Sequence, residues 1–265
     1  MLMTNPDPLN TKELKTPASK ARVAFVANSA DMRSYLVLHQ LALKRPEKSL
    51  RRHSYILDKA VYVLIASLWE AYCEDIVTES LDYIAAHAPS CRALPSGLVS
   101  EIEKNIRSGK DSPWELAGEG WREYIKKRRE GFEKKRNRDF TGPKSRSVEE
   151  FFYNVLGIEE LCDSWRAAGP PNICEDLDAH LDRRNSLVHR ITPGRVVEKA
   201  DVKNFFRLVW NLAMYTDDVV DDMLTKVTGK SRWKGHVNAG DSGAGPVGLE
   251  DALAATVPAT RFTAA

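Results

Sequence analysis

Apolar side chains return every three or four positions along residues 50 to 87, where Leu57, Val61, Leu64, Leu68 and Tyr72 draw one stripe down a predicted long helix. Ala88-Pro89 ends it. A second stripe runs through Val202, Phe205/Phe206, Val209, Leu212/Ala213, Val220, Met223/Leu224 and Val227, and predicts a helix from about 201 to 227. From Ser19 to about Lys44 the pattern is moderately amphipathic, and Pro46 stops it.

Shorter elements lie between these helices. Residues 96–107 read as a helix closed by Gly109. In "SPWE", Ser112, Pro113 and Glu115 have the spacing of a capping box, which predicts a helix running to about Arg138. Ser147 with Glu150 predicts a second box, for a helix ended by Gly157. Asn172 and Glu175 open a helix of about five turns that Pro193-Gly194 terminates. No alternating strand pattern and no fixed-period repeat is present, so the expected class is an all-α bundle with inserted short helices. The proline-bearing residues 1–18 and the Gly/Ala-rich residues 229–265 are expected to be disordered.

Composition adds limits. With 265 residues, 43% hydrophobic and 29% charged, the chain can bury a substantial core. The longest apolar run, Ala60 to Trp69, is about half of what a bilayer-spanning helix needs, and the N-terminus lacks the apolar segment of a secretory signal. A cytoplasmic protein with no membrane partner is the expectation. Cys73, Cys91, Cys162 and Cys174 are spread without CxxC or finger spacing, so they are expected reduced and buried, with no metal and no cofactor. The net charge of +2 is small but uneven. Residues 122–146 hold eleven Lys or Arg against four Asp or Glu, with Trp121, Tyr124, Phe132 and Phe140 interleaved. Lys126, Lys127, Arg128 and Arg129 either form a track for an RNA backbone, with rings available for stacking, or belong to a solvated helix with Lys126–Glu130 and Arg129–Glu133 pairs.

The candidate chemistry lies in "DRRNSLVHR", residues 182–190. Arg184 and His189 are five residues apart, about 140° around a straight helix, so they share a site only if the arginine wraps toward its neighbour or the last turn unwinds before Pro193-Gly194. A histidine there feels the negative end of the helix dipole and the opposing Arg183, Arg184 and Arg190, a balance that leaves its pKa near neutrality, where proton transfer is most efficient. The plain alternative is that these side chains cap free carbonyls. Glu70 and Glu74, and the pairs among Asp217, Asp218, Asp221 and Asp222, read as solvent-facing acids.

The stretch "RRNSLVHR" resembles the R-N-x-x-x-H motif of HEPN domains. "LIASLWEAYCEDIVTES" (64–80) and "SVEEFFYNVLGIEELCDSW" (147–165) are similar to the leading helix and the connecting Gly-Ile and Asp-x-Trp segment of the RiboL-PSP-HEPN branch, so the resemblance spans about 50–228, around a basic insert at 96–146. Arg190 stands where many members have Gly. The resemblance implies a metal-independent ribonuclease in which the ribose 2′-hydroxyl attacks phosphorus. His189 would move the proton, Arg184 would clamp phosphate oxygens and Asn185 would orient the imidazole or the phosphate, with Arg183 and Glu70 as accessory groups. It also implies a homodimer with a composite cleft, RNA as substrate, and a toxin or phage-defence effector with an antitoxin or defence partner protein. A silent RNA- or nucleotide-binding module, or a helical adaptor, is the alternative.

Overall fold

Forty residues of uninterrupted helix form the axis of the molecule, because Lys48–His87 contains neither Gly nor Pro and carries apolar residues on more than one side. The computed structural model describes residues 18–30, 32, 34–35, 38, 48–135, 143–189 and 197–233. Among them are eight α-helices: α1 (Lys20–Asn28), α2 (Lys48–His87), α3 (Ser96–Arg107), α4 (Gly120–Lys135), α5 (Ser145–Leu156), α6 (Leu161–Ala168), α7 (Ile173–His189) and α8 (Lys199–Thr228). Short 3-10 turns occupy Cys91–Ala93 and Pro113–Leu116, and no strand is present among the described residues. The chain is all-α, a helical bundle with inserted short helices.

α2 packs against α1, α4, α5, α7 and α8, so its buried arc is wider than the stripe read from the sequence. Val61 and Tyr72 are inside as expected, but Leu64 is 49% exposed while Tyr62, Ile65 and Trp69 are fully buried. The inward arc of α2 is centred on its aromatic residues. Trp69 meets Trp165 of α6 edge-on at 5.8 Å, and the Trp165 indole donates to Thr216 Oγ1 of α8 at 3.0 Å. Truncating either tryptophan to Ala would cost about 3–5 kcal/mol.

Helix ends follow local chemistry with some corrections. α3 and the Gly157 stop of α5, at φ 67°, match the sequence pattern. The expected Ser19–Lys44 helix instead breaks at Ser29, whose hydroxyl bonds back to the Val26 carbonyl at 2.7 Å. Ser112 makes no side-chain cap, and "SPWE" forms only the 3-10 turn. Gly118 then adopts φ 62°, and Gly120 passes so close to the Glu115 carbonyl that a Cβ would sit 1.9 Å from its oxygen. Two consecutive helices replace the single one expected. The Ser147–Glu150 box is also absent: α5 starts three residues earlier, with Lys144 at its N-cap, where Ser145 donates from its N–H (2.7 Å) and hydroxyl (3.0 Å) to Asp178 of α7. α8 begins at Lys199, with a reciprocal box between Glu198 and Asp201.

The acidic residues of α8 are the largest correction. Asp217 and Asp221 are fully buried, not solvent-facing. Asp217 accepts from the Ser19 N–H (3.1 Å) and hydroxyl and from the Tyr72 hydroxyl (3.2 Å), with Arg22 at 3.8 Å. Burial pushes its carboxyl above the usual range, opposed by the Ser19, Arg22 and Tyr72 contacts. Asp221 accepts from the Ser231 hydroxyl (2.9 Å) and from the Arg232 (3.0 Å) and Trp233 (3.4 Å) N–H groups. Residues 229–233 are therefore folded onto the bundle, contrary to the expected disorder from 229, and Trp233 is buried. The expected arm over 1–17 and the tail over 234–265 lie outside the described residues. Cys73, Cys162 and Cys174 are buried, but Cys91 is exposed. Among the described residues no helix is long and apolar enough to cross a membrane.

Candidate functional site

The candidate chemistry sits on the last turns of α7, where the helix leaves the core. Leu177 and Leu181 point inward and are fully buried. The same inward register continues through Arg184 and Val188, one and two turns on. Arg184 is half-buried and Val188 is 50% exposed, while Leu187 packs against the core.

The neighbours on α7 fix its setting from several sides. Towards α5, Asp178 receives Ser145 and Asp182 pairs with Lys144 at 2.7 Å. Towards α2, the Tyr62 hydroxyl lies 2.6 Å from Nδ1 of His180. Towards α8, the His180 ring stacks on Phe205 at 4.7 Å and 9°, and Arg183 pairs with Asp201 at 2.7 Å. Asp201 is itself fixed by the Glu198 N–H at 2.9 Å. Burial would raise the Asp201 pKa, but the Glu198 N–H and the Arg183 guanidinium outweigh it and hold the carboxyl below its usual range.

Arg184 differs from Arg183. It has no carboxylate partner among the described residues; its Nη1 donates to the Asn185 amide oxygen at 3.0 Å, and its Nε is buried without a partner. That contact leans the guanidinium towards Asn185, which lies one helical turn before residue 189 and on the same face. Residues 184 and 189 are about 140° apart around the helix, and the Arg184 side chain leans to the Asn185 side of its own position. α7 remains helical through His189, whose side chain lies outside the described part, as does Arg190.

An arginine held by a neutral amide keeps its charge and N–H donors for an anion, and a bidentate phosphate contact is the chemistry a guanidinium serves best. Arg183 is already committed to Asp201. Glu70 is half-buried on α2, about two turns from Tyr62, and is engaged by neighbouring groups. Among the described residues no group of three or more His, Cys, Asp and Glu could hold a metal ion.

The basic insert is more structural than its composition suggests. Arg122 donates to the Ala85 (2.6 Å) and Ala88 (2.8 Å) carbonyls at the end of α2 and pairs with Glu119. Arg129 reaches Asp82 at 3.3 Å, and Arg128 donates to the Asn154 carbonyl at 3.3 Å. Lys126 pairs with Glu123 at 2.6 Å, not with Glu130 as its spacing suggested. Lys126 and Lys127 are exposed. The interleaved rings do not form an open platform: Trp121 is buried and Tyr124 and Phe132 pack on the core, while Phe140 lies outside the described residues. Among the described residues of the insert the exposed ring is Trp114, 86% accessible on its 3-10 turn.

Sequence reasoning missed Tyr62, His180 and Asp201. The available signal was His180 four residues before Arg184, on the same face of one helix. A family model described as RiboL-PSP-HEPN matches residues 31–222 of the chain, which takes in α2 to α7, the basic insert and most of α8. Neither the curated proteins nor the solved structures contain a match.

Proposed function

The chain belongs to the RiboL-PSP-HEPN family, and on that premise we propose that it is an endoribonuclease that cuts RNA without a metal ion. HEPN domains are nuclease-like or RNA-related modules. In the proposed reaction the ribose 2′-oxygen attacks the adjacent phosphorus, the bond from phosphorus to the 5′-oxygen breaks, and the products carry a 2′,3′-cyclic phosphate and a 5′-hydroxyl. His189 moves the proton, and Arg184 binds the non-bridging oxygens as charge builds on them. Asn185 holds Arg184 towards the face that carries residue 189.

The observation that carries this reading is the contrast between two adjacent arginines, Arg183 ion-paired to Asp201 and Arg184 held only by an amide oxygen. The active form is a two-fold dimer that brings two motifs into one cleft. Val188, exposed in an inward register, supplies apolar surface for such an interface. The biological setting is a toxin or phage-defence effector restrained by a partner protein.

Labelled RNA and DNA of one sequence, incubated with the protein in EDTA, test the reaction. RNA is cut to cyclic-phosphate ends and DNA is untouched, since DNA lacks the nucleophile. DNA cleavage or a Mg²⁺ requirement overturns the reading, and binding without cleavage assigns a silent RNA-binding module. Arg184→Ala and His189→Ala each lower cleavage by about a hundredfold or more. Mixing the two inactive variants, with subunit exchange confirmed, restores part of the activity if the cleft is shared between chains.

A further inference from the structure

One turn before the motif, the inward face of α7 changes from aliphatic to polar. Leu177 and Leu181 are followed by a cluster built from three helices: Tyr62 of α2, His180 and Arg183 of α7, and Asp201 of α8, seated on Phe205. Apolar residues would fill this space without the cost of burying a phenol, an imidazole and an ion pair.

Each group in the cluster constrains the next. Burial pushes the Tyr62 phenol well above its usual range, against the neighbouring Arg183, so the hydroxyl keeps its proton. The Tyr62 hydroxyl and Nδ1 of His180 share one hydrogen bond at 2.6 Å, whose direction follows the imidazole tautomer. The ring plane is set by Phe205, parallel within 9°. The Arg183 guanidinium lies 5.9 Å from the Tyr62 ring centre and is fixed by Asp201, the third residue of α8 and partner of Glu198 in its capping box. The turn at 180–183 cannot rotate without breaking its bonds to both α2 and α8. Arg184 and Asn185 leave the helix directly above this turn. A misplacement of about 1 Å in a catalytic group costs on the order of a hundredfold in rate.

We propose that Tyr62 and His180 are positioning residues for the Arg184 site: their hydrogen bond, seated on Phe205 and braced by Arg183–Asp201, sets the rotation of α7 and so the direction in which Arg184 meets phosphate. The proposal rests on the nuclease reading for its catalytic consequence, and on geometry alone for the ordering of Arg184.

The test uses the full chain and two conservative variants. Tyr62→Phe removes only the hydroxyl, and His180→Asn keeps near the position of Nδ1 an amide that can accept from or donate to it. The readouts are kcat and KM on labelled RNA, the melting temperature, and the ¹⁵N relaxation of the Arg184 Nε–H. In Tyr62→Phe, kcat falls about tenfold or more, KM changes less than about threefold, and the Arg184 signal becomes more mobile while the chain stays folded. His180→Ala gives the same loss, and His180→Asn recovers most of it. Unchanged kcat and unchanged Arg184 order in folded Tyr62→Phe would reduce the pair to core packing. If the parent cuts no RNA, the nuclease reading fails and the Arg184 signal still decides: increased mobility in Tyr62→Phe upholds positioning, and an unchanged signal overturns it. Should Tyr62→Phe not fold, His180→Ala against His180→Asn gives the same comparison.

Discussion

Arg183 and Arg184 are chemically identical and adjacent, yet the bundle gives them different partners. The helix turns by about 100° between them, which swings one into reach of Asp201 on α8 and the other above His180 and beside Asn185. Arg183→Ala should therefore lower the melting temperature, because Asp201 and the Tyr62 ring lose their cation, whereas Arg184→Ala should leave thermal stability near the parent value while lowering cleavage by about a hundredfold or more. Differential scanning calorimetry beside an activity assay separates the two. His180 gives a second expectation. Burial holds its pKa below the ordinary 6.5, so the unfolded chain binds more protons than the folded one between that value and the lowered folded pKa. Stability from this group is present above about pH 6.5 and is lost as pH falls through that window, levelling off below the folded pKa. Urea titrations from pH 7.5 to 5 should show that loss, and His180→Asn should remove this part of it.

At the scale of elements, α4 shows how a charge run divides its labour. Arg122, Arg128 and Arg129 bind carbonyls and a carboxylate of neighbouring helices and fasten the insert, while Lys126 and Lys127 stay exposed. An exposed Lys126–Glu123 pair contributes about 0–1 kcal/mol, too little to withhold the lysine from a phosphate. Replacing Lys126 and Lys127 by Ala should weaken RNA binding and reduce the salt slope by about 0.7 for each phosphate of a single strand that is no longer neutralised, with little change in melting temperature. Replacing Arg122 by Ala should act the other way, lowering the melting temperature by freeing the end of α2. Net charge along the segment does not separate these fates. The capping signals fail for a related reason: Ser112 has the right spacing, but the close passage of Gly120 against Glu115 and the positive φ of Gly118 turn the chain before a helix can propagate.

The whole molecule is closed by its described ends. Ser19 at the start of α1 binds buried Asp217, and the Lys20 (3.1 Å) and Ala21 (2.9 Å) N–H groups donate to Glu79 of α2. From the other end, Arg232 pairs with the same Glu79 at 2.8 Å, while Ser231, Arg232 and Trp233 surround Asp221. Two buried or nearly buried carboxylates are thus satisfied by chain that follows the last helix. A protein ending at Thr228 should melt measurably lower than one ending at Trp233, because Asp221 loses its donors and Trp233 no longer covers the core; thermal melts of the two truncations check this. Equal melting temperatures would show that the strap contributes nothing.

The sequence by itself determined the helical class, the two long helices, the Gly157 stop and the place of the R-N-x-x-x-H motif, because these depend on spacing, capping chemistry and residue type within one segment. The family was legible for the same reason, since its signature is three short segments in order. Only the tertiary structure decided which arginine is committed to an ion pair, that Asp217 and Asp221 are buried, that Trp121, Tyr124 and Phe132 of the insert pack inward, and that His180 meets Tyr62 across 118 positions of sequence. Each of these turns on a partner from a distant helix. A side chain's partners, more than its own chemistry, set whether a charge is spent on stability or left for a substrate.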